Sequence, residues 1–182
     1  LFRRMVRHFA ENEIRPIAPL IDREHRPPLE IIAKMAALGL MGVPFPREYG
    51  GVGGGELGYC LLMEEINRVC TSTATVVGAH TGIGAMAIYL DGSEAQKQKY
   101  LRPLAQGEKI GAFALTESGA GSDAAAIKTT ARRDGDHYLL NGTKIFITNG
   151  DIADIVTVMA VTNPALGAHG GVTAFIVEKG TP

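Results

Sequence analysis

The sequence predicts an α+β multidomain chain, with an all-α N-terminal helical domain over residues 1–107 followed by an antiparallel β-barrel or sheet domain over residues 108–182. Two observations carry this. Apolar residues recur at helical spacing from Leu1 to about Gly107, and from Ile110 onward the pattern shortens to β-rich runs divided by turn signals. The turn signals are Asp134-Gly135, Asn141-Gly142 and Asn149-Gly150, Asx-Gly pairs that favour tight hairpins. No helix-length crossover separates the strands, so antiparallel pairing is expected and a parallel sheet has no room.

In chain order, "LFRRMVRHFAENEI" reads as an amphipathic helix whose far end is disturbed by Pro16 and Pro19. "LEIIAKMAALG" reads as a second helix, closed by Gly39 as its C-terminal cap. The glycines of residues 50–55 form a flexible loop opening a third helix, "ELGYCLLMEEINRVC". Residues 69–90 carry no charge and are long enough to span a bilayer, yet four threonines, a serine, His80 and three glycines make a buried soluble helix pair the better reading. Ser93 and Gln96 have capping-box spacing and start a helix after the Asp91-Gly92 turn. The expected strands are "KIGAFALTE", "KTTARRD", "HYLLNGTKIFIT", "ADIVTVMAVT" and "GVTAFIVEK".

Among 182 residues, 46% are apolar and 20% charged, as in an ordinary folded protein. A net charge of −1 without a basic run removes the electrostatic footprint of a nucleic-acid or anionic-membrane binder. Cys60 and Cys70 are too far apart along a helix for a short bridge and read as reduced core residues. The five histidines, at positions 8, 25, 80, 137 and 169, have no metal-ligand spacing, and His80 reads as a satisfied core residue. Helix pattern is already running at Leu1, and "FIVEKGTP" ends a strand without a closing element, so a piece of a longer chain is expected.

Two glycine clusters match dinucleotide-binding patterns: residues 53–58 (G-x-G-x-x-G) and residues 119–124 (G-x-G-x-x-A). Neither fits a Rossmann unit. The first follows a proline-broken loop instead of a strand, and the second is followed by too few residues for a crossover helix. The second can still bind an anion, because glycine-exposed amides form a nest of partial positive charge and Ser122 adds a hydroxyl.

The order "FALTESGAGSD", "YLLNGTKIFITNG", "FIVEKGTP", preceded by "GSEAQKQKYL", resembles the acyl-CoA dehydrogenase family over essentially the whole chain. The resemblance implies an FAD enzyme that converts acyl-CoA thioesters to trans-2-enoyl-CoA. It implies flavin contacts from Phe113, Leu115 and Thr116, a loop of Gly121 and Ser122 near the FAD diphosphate and substrate, and a second flavin segment of Phe146, Ile147 and Thr148. Thr162 is nominated for the CoA moiety, Ser122 for the substrate as well as the cofactor, and the uncharged helical region for the acyl tail. The implied base is a glutamate of a C-terminal helical domain beyond these residues, while Glu117 is read as a solvent-facing or loop-fixing carboxylate. Implied partners are acyl-CoA and an electron-transfer flavoprotein, with a homodimer or homotetramer in the bacterial cytoplasm or mitochondrial matrix, no nucleic acid and no membrane span. Two departures stand out: Phe146 and Ser118 occupy positions where many members have tryptophan and proline. A non-catalytic flavin- or CoA-binding protein, or a related oxidase or enoyl-CoA reductase, fits the same residues.

Overall fold

A computed structural model describes residues 1–182. Helix α1 (Phe2–Phe9) continues through a π-helical turn (Ala10–Ile14), and the spacing of Val6, Phe9, Ala10 and Ile14 buries one face in the helical core. The chain turns after this point, and α2 (Ala18–Glu24) starts with Pro19 in its first turn, where the missing N–H costs nothing. Helix α3 (Leu29–Ala37) ends at Gly39, whose φ of 70° is the left-handed conformation expected of a cap. Helix α4 (Gly55–Asn67) packs against α1 and carries Glu65, a carboxylate with no solvent exposure. Arg7 grips it with Nε and Nη2 at 2.8 Å each, and Arg3 and Arg68 stand at 3.2 and 3.5 Å. The Arg7 hydrogen bonds outweigh desolvation and hold the Glu65 carboxyl below its ordinary range.

Three expectations about this half change. The loop over residues 50–54 is anchored, since the amides of Gly51, Val52, Gly53 and Gly54 bond to carbonyls of Pro46, Gly42, Phe45 and Val43. The uncharged stretch is one helix and not a pair: α5 (Thr71–Gly78), a π-helical segment (Ala79–Ala85) and α6 (Met86–Asp91) run on without a turn. Its glycines permit close packing instead of breaking the helix. A Cβ on Gly84 would lie 3.0 Å from the Gly111 carbonyl carbon, so the helix rests directly on strand backbone. By length and composition this helix could cross a membrane, but half of its most apolar window is buried within the protein. Cys60 is exposed, while Cys70 is buried and caps α5, its Sγ accepting the Thr73 amide.

The capping box at Ser93 and Gln96 forms as expected and starts α7 (Glu94–Gln96), which runs through a further π turn into α8 (Arg102–Ala105). Beyond it lie β1 (Gly111–Ala114), β2 (Thr130–Asp134), β3 (His137–Asn141), β4 (Ile155–Val161) and β5 (Val172–Glu178). The sheet is mixed, which corrects the all-antiparallel expectation. β2–β3 and β4–β5 are antiparallel, but β1 runs parallel to β4, with Gly111 opposite Ile155 and Ala114 opposite Val158. The crossover required by a parallel pair is supplied by loops and the β2–β3 hairpin, not by a helix. One edge of β4 follows β5 along its whole length; its other edge is shared by β1 and, at Val161, the start of β2. Residues 115–129 leave the sheet in the gap between β1 and β2.

The helical half and the sheet are stitched together at Gly111. His80, fully buried in the π segment, accepts the Gly111 amide at Nδ1 (3.0 Å) and donates from Nε2 to the Leu104 carbonyl (3.1 Å). Burial lowers its pKa from 6.5 to about 4, more than the Leu104 bond raises it, so the ring is neutral. The unfolded chain takes up this proton first on acidification. The stability from neutral His80 is therefore complete above pH 6.5 and is lost as the pH falls toward 4. His80→Ala should cost about 2–4 kcal/mol in urea unfolding at pH 7, by orphaning the buried Gly111 amide and leaving a cavity. It should also flatten the pH dependence of stability between pH 6.5 and 4.

Candidate functional site

After β1 the chain passes Leu115 and Thr116 and makes a tight turn in which Glu117 and Ala120 exchange backbone hydrogen bonds of 3.1 and 3.0 Å. This lifts Ser118 and Gly119 to an exposed tip and leads into exposed Gly121 and Ser122. The amides of Ser118, Gly119, Gly121 and Ser122 donate to no protein acceptor. A Cβ on Gly119 or Gly121 would meet nothing within 4 Å, and neither residue has positive φ. The fold itself therefore does not require glycine there, and the small residues leave room for something to approach the backbone.

Glu117 points inward and is 8% exposed. Its carboxylate accepts the Lys128 amide (2.7 Å), the Thr129 amide (2.9 Å), the Thr129 hydroxyl and the Lys144 ammonium (2.8 Å). Desolvation pushes its pKa up, but Lys144, Thr129 and the two amides together hold it down to about 2. An ionised carboxylate held by four donors fixes a loop and is a poor proton acceptor; of the two expected roles, burial excludes the solvent-facing one and the bonds match the loop-fixing one.

The second predicted segment is brought to the first, but not as a strand. β3 stops at Asn141, and residues 142–148 form a loop, so the hairpin expected at Asn141-Gly142 does not form. Gly142 instead lies against Thr129, where a Cβ would sit 2.3 Å from Oγ1. Phe146 (φ 57°) and Asn149 (φ 67°) adopt left-handed conformations incompatible with a continuous strand. The loop docks through the Ile145 amide on the Thr116 carbonyl (2.9 Å) and Lys144 Nζ on the Leu115 carbonyl (2.9 Å). Its far end is pinned by Asn149, whose Nδ2 donates to the carbonyls of Val76 (3.0 Å) and Gly111 (3.2 Å).

Phe113, Leu115, Thr116, Ile147 and Thr148 thus belong to one bipartite platform. No protein group engages the amides of Phe146, Ile147 and Thr148 or the hydroxyls of Thr116 and Thr148, and Phe146 is 90% exposed. Free donors beside uncovered apolar side chains suit a flat heteroaromatic ring with acceptors along one edge. Phe113 and Leu115 also line an apolar cavity of about 370 Å³ with Ile127 and Met159. Thr162 sits elsewhere, its hydroxyl turned to Thr173 (2.9 Å) and the Gly171 carbonyl (3.4 Å) at the end of β4. Reading the sequence missed Lys144, Thr129 and Asn149 as parts of the site. The only signals were a lysine inside a β-rich run and an Asn-Gly pair.

Residues 1–108 match the acyl-CoA dehydrogenase N-terminal domain, and residues 112–182 match the acyl-CoA dehydrogenase middle domain. The chain belongs to the acyl-CoA dehydrogenase family. It is 52% identical to the short-chain-specific acyl-CoA dehydrogenase of Clostridium acetobutylicum, covering 99% of this chain and 47% of that protein. It is 46% identical to the acryloyl-CoA reductase (NADH) of Anaerotignum propionicum, covering 100% and 46%. The butyryl-CoA dehydrogenase structure of Megasphaera elsdenii superposes with a TM-score of 0.94 at 42% identity, covering 100% and 48%. An acyl-CoA dehydrogenase of Bacillus anthracis solved with FAD gives 0.86 at 39% identity, covering 98% and 30%. The chain spans about half the length of the curated relatives it matches.

Asn149 offers a test of the platform. Asn149→Ala should destabilise the protein by about 2–4 kcal/mol, through two lost hydrogen bonds, one buried and one part-buried, and a strained left-handed backbone. Asn149→Gly, which relieves the strain but not the lost bonds, should cost about half as much in the same urea unfolding measurement.

Proposed function

We propose that the protein containing these residues is an FAD-dependent acyl-CoA dehydrogenase that oxidises acyl-CoA thioesters to trans-2-enoyl-CoA. In this reading residues 1–107 form its helical domain and residues 108–182 part of its middle β domain. The observation that carries it is the convergence of two distant segments, residues 113–117 and 144–148, on one platform of unpaired donors beside an open glycine loop. Family membership and the FAD-bound relative support the same reading.

Thr116, Thr148 and the amides of residues 146–148 would hold the polar edge of the flavin, with Phe113, Leu115, Phe146 and Ile147 against its apolar parts. The amides around Gly121 and the Ser122 hydroxyl would take the diphosphate and the neighbouring substrate. When bound, FAD supplies the hydride acceptor. The chain's own contribution is to orient the ring and to offer donors already fixed in place, so that negative charge is stabilised without reorganisation. Glu117 is not assigned as the base, because it is buried and the Lys144 ammonium and the donors of residues 128–129 hold its pKa down to about 2. That role belongs to a glutamate of a C-terminal helical domain, as the resemblance implies. Thr162 remains a proposed CoA contact that would have to release Thr173. Electron-transfer flavoprotein as acceptor, a homo-oligomeric state and a bacterial cytoplasmic or mitochondrial matrix location complete the proposal.

The relationship to an acryloyl-CoA reductase favours one second reading, the same site working in the reductive direction. A visible absorption spectrum of the intact protein, titrated with acyl-CoAs of graded length and then with enoyl-CoA plus NADH, separates the two. Bleaching of a yellow protein by acyl-CoA supports the dehydrogenase; turnover only with NADH and enoyl-CoA supports the reductase; a protein that binds no flavin overturns both. In the same assay Thr148→Val should slow flavin reduction about ten- to hundredfold. Gly121→Val should leave unfolding nearly unchanged but weaken FAD retention, since its side chain meets only whatever approaches the loop.

A further inference from the structure

The flavin reading gives Glu117 and Lys144 no ligand to bind, yet the direct hydrogen bonds between residues 113–117 and 142–149 pass through or beside them. Lys144 Nζ reaches the Leu115 carbonyl at 2.9 Å and Glu117 at 2.8 Å, with side chains only 10% and 9% exposed. A buried ammonium needs a counter-charge, and a buried carboxylate needs its lone pairs filled. Glu117 meets both needs while also gathering the amides of Lys128 and Thr129, which return the glycine loop to β2. Between residues 113–117 and 142–149 the backbone itself contributes a single bond, from the Ile145 amide to the Thr116 carbonyl.

Resting on the flavin reading, we propose that Glu117 and Lys144 act as one positioning unit, a buried clasp that sets the spacing between the Thr116 and Thr148 donors so that both address the same bound ring. The clasp is buried, with its ammonium bonded to Glu117 and the Leu115 carbonyl, and it acts through the backbone at Leu115, Thr116 and Ile145. Its charge chemistry explains why an ion pair is used at all. Hydrogen bonds to a neutral side chain would leave either the ammonium uncompensated or the three convergent donors of residues 128–129 without a strong acceptor.

The test uses the intact protein with its cofactor and the variants Glu117→Gln, Lys144→Met, their double, and Lys144→Arg. Two readouts are taken: hydrogen exchange at the Ile145 amide, and FAD retention together with the visible spectrum of the bound flavin. Each single charge-removing variant should speed Ile145 exchange and weaken FAD retention by about tenfold or more, while the helical half keeps its exchange protection. The double should be no worse than the poorer single, as expected of residues acting as a unit, and Lys144→Arg should restore most of both signals. Unchanged Ile145 protection, or losses that simply add in the double, would overturn the clasp. If the parent carries no flavin, the functional reading fails, and Ile145 exchange still decides the clasp. Should the charge variants not fold, Thr129→Val removes one donor to Glu117 without orphaning a charge. It should still speed Ile145 exchange severalfold, and no change there overturns the proposal as well.

Discussion

The ionised carboxylate of Glu117, buried and filled by four donors, is the constraint on which the candidate site depends. A carboxylate in this position is tolerated only because Lys144 lies beside it, and Lys144 arrives only because residues 142–148 abandon the sheet after β3. Loop path, ion pair and platform therefore come as one solution. Gly142 belongs to it as well, since any side chain there would collide with Thr129, itself a donor to Glu117.

A second knot of buried polar groups sets where that platform stands relative to the helices. Gly111 has both backbone groups taken by side chains from elsewhere: its amide by His80, and its carbonyl by Asn149. His80 comes from the π-helical stretch and Asn149 from the end of the docking loop, so one residue at the start of β1 joins helix, sheet and site. The close approach at Gly84 makes this possible by letting helix backbone rest on strand backbone. Together these contacts turn a helical bundle and a sheet into a rigid support for exposed donors, which a preorganised site requires.

Much of the fold could be read from the residues because the signals were local. Capping at Ser93 and Gln96, the left-handed cap at Gly39, the Asp134-Gly135 hairpin and the satisfied His80 each follow from a few neighbouring side chains or from burial alone. The misreadings share a different cause. The uncharged stretch was read as a helix pair, but its glycines at positions 82 and 84 serve contacts with Tyr59 and β1 that no local pattern displays. Residues 142–148 have the composition of a strand, and propensity lost to the pull of Glu117 and the Thr116 carbonyl on Lys144 and Ile145. Parallel pairing of β1 with β4 was hidden because its crossover is a hairpin with loops instead of a helix.

The sequence by itself determined the helical and β halves, the two motif segments and the family to which they belong, because periodicity, turn chemistry and motif spacing are properties of short stretches of chain. Tertiary structure alone decided which edge of β4 each strand takes, that Phe146 and Asn149 turn left-handed, and that Glu117 closes on Lys144, 27 positions further along the chain. The physical reason is that burying a charge is permitted only when its partners converge from several segments at once, and that convergence is a property of the folded chain as a whole.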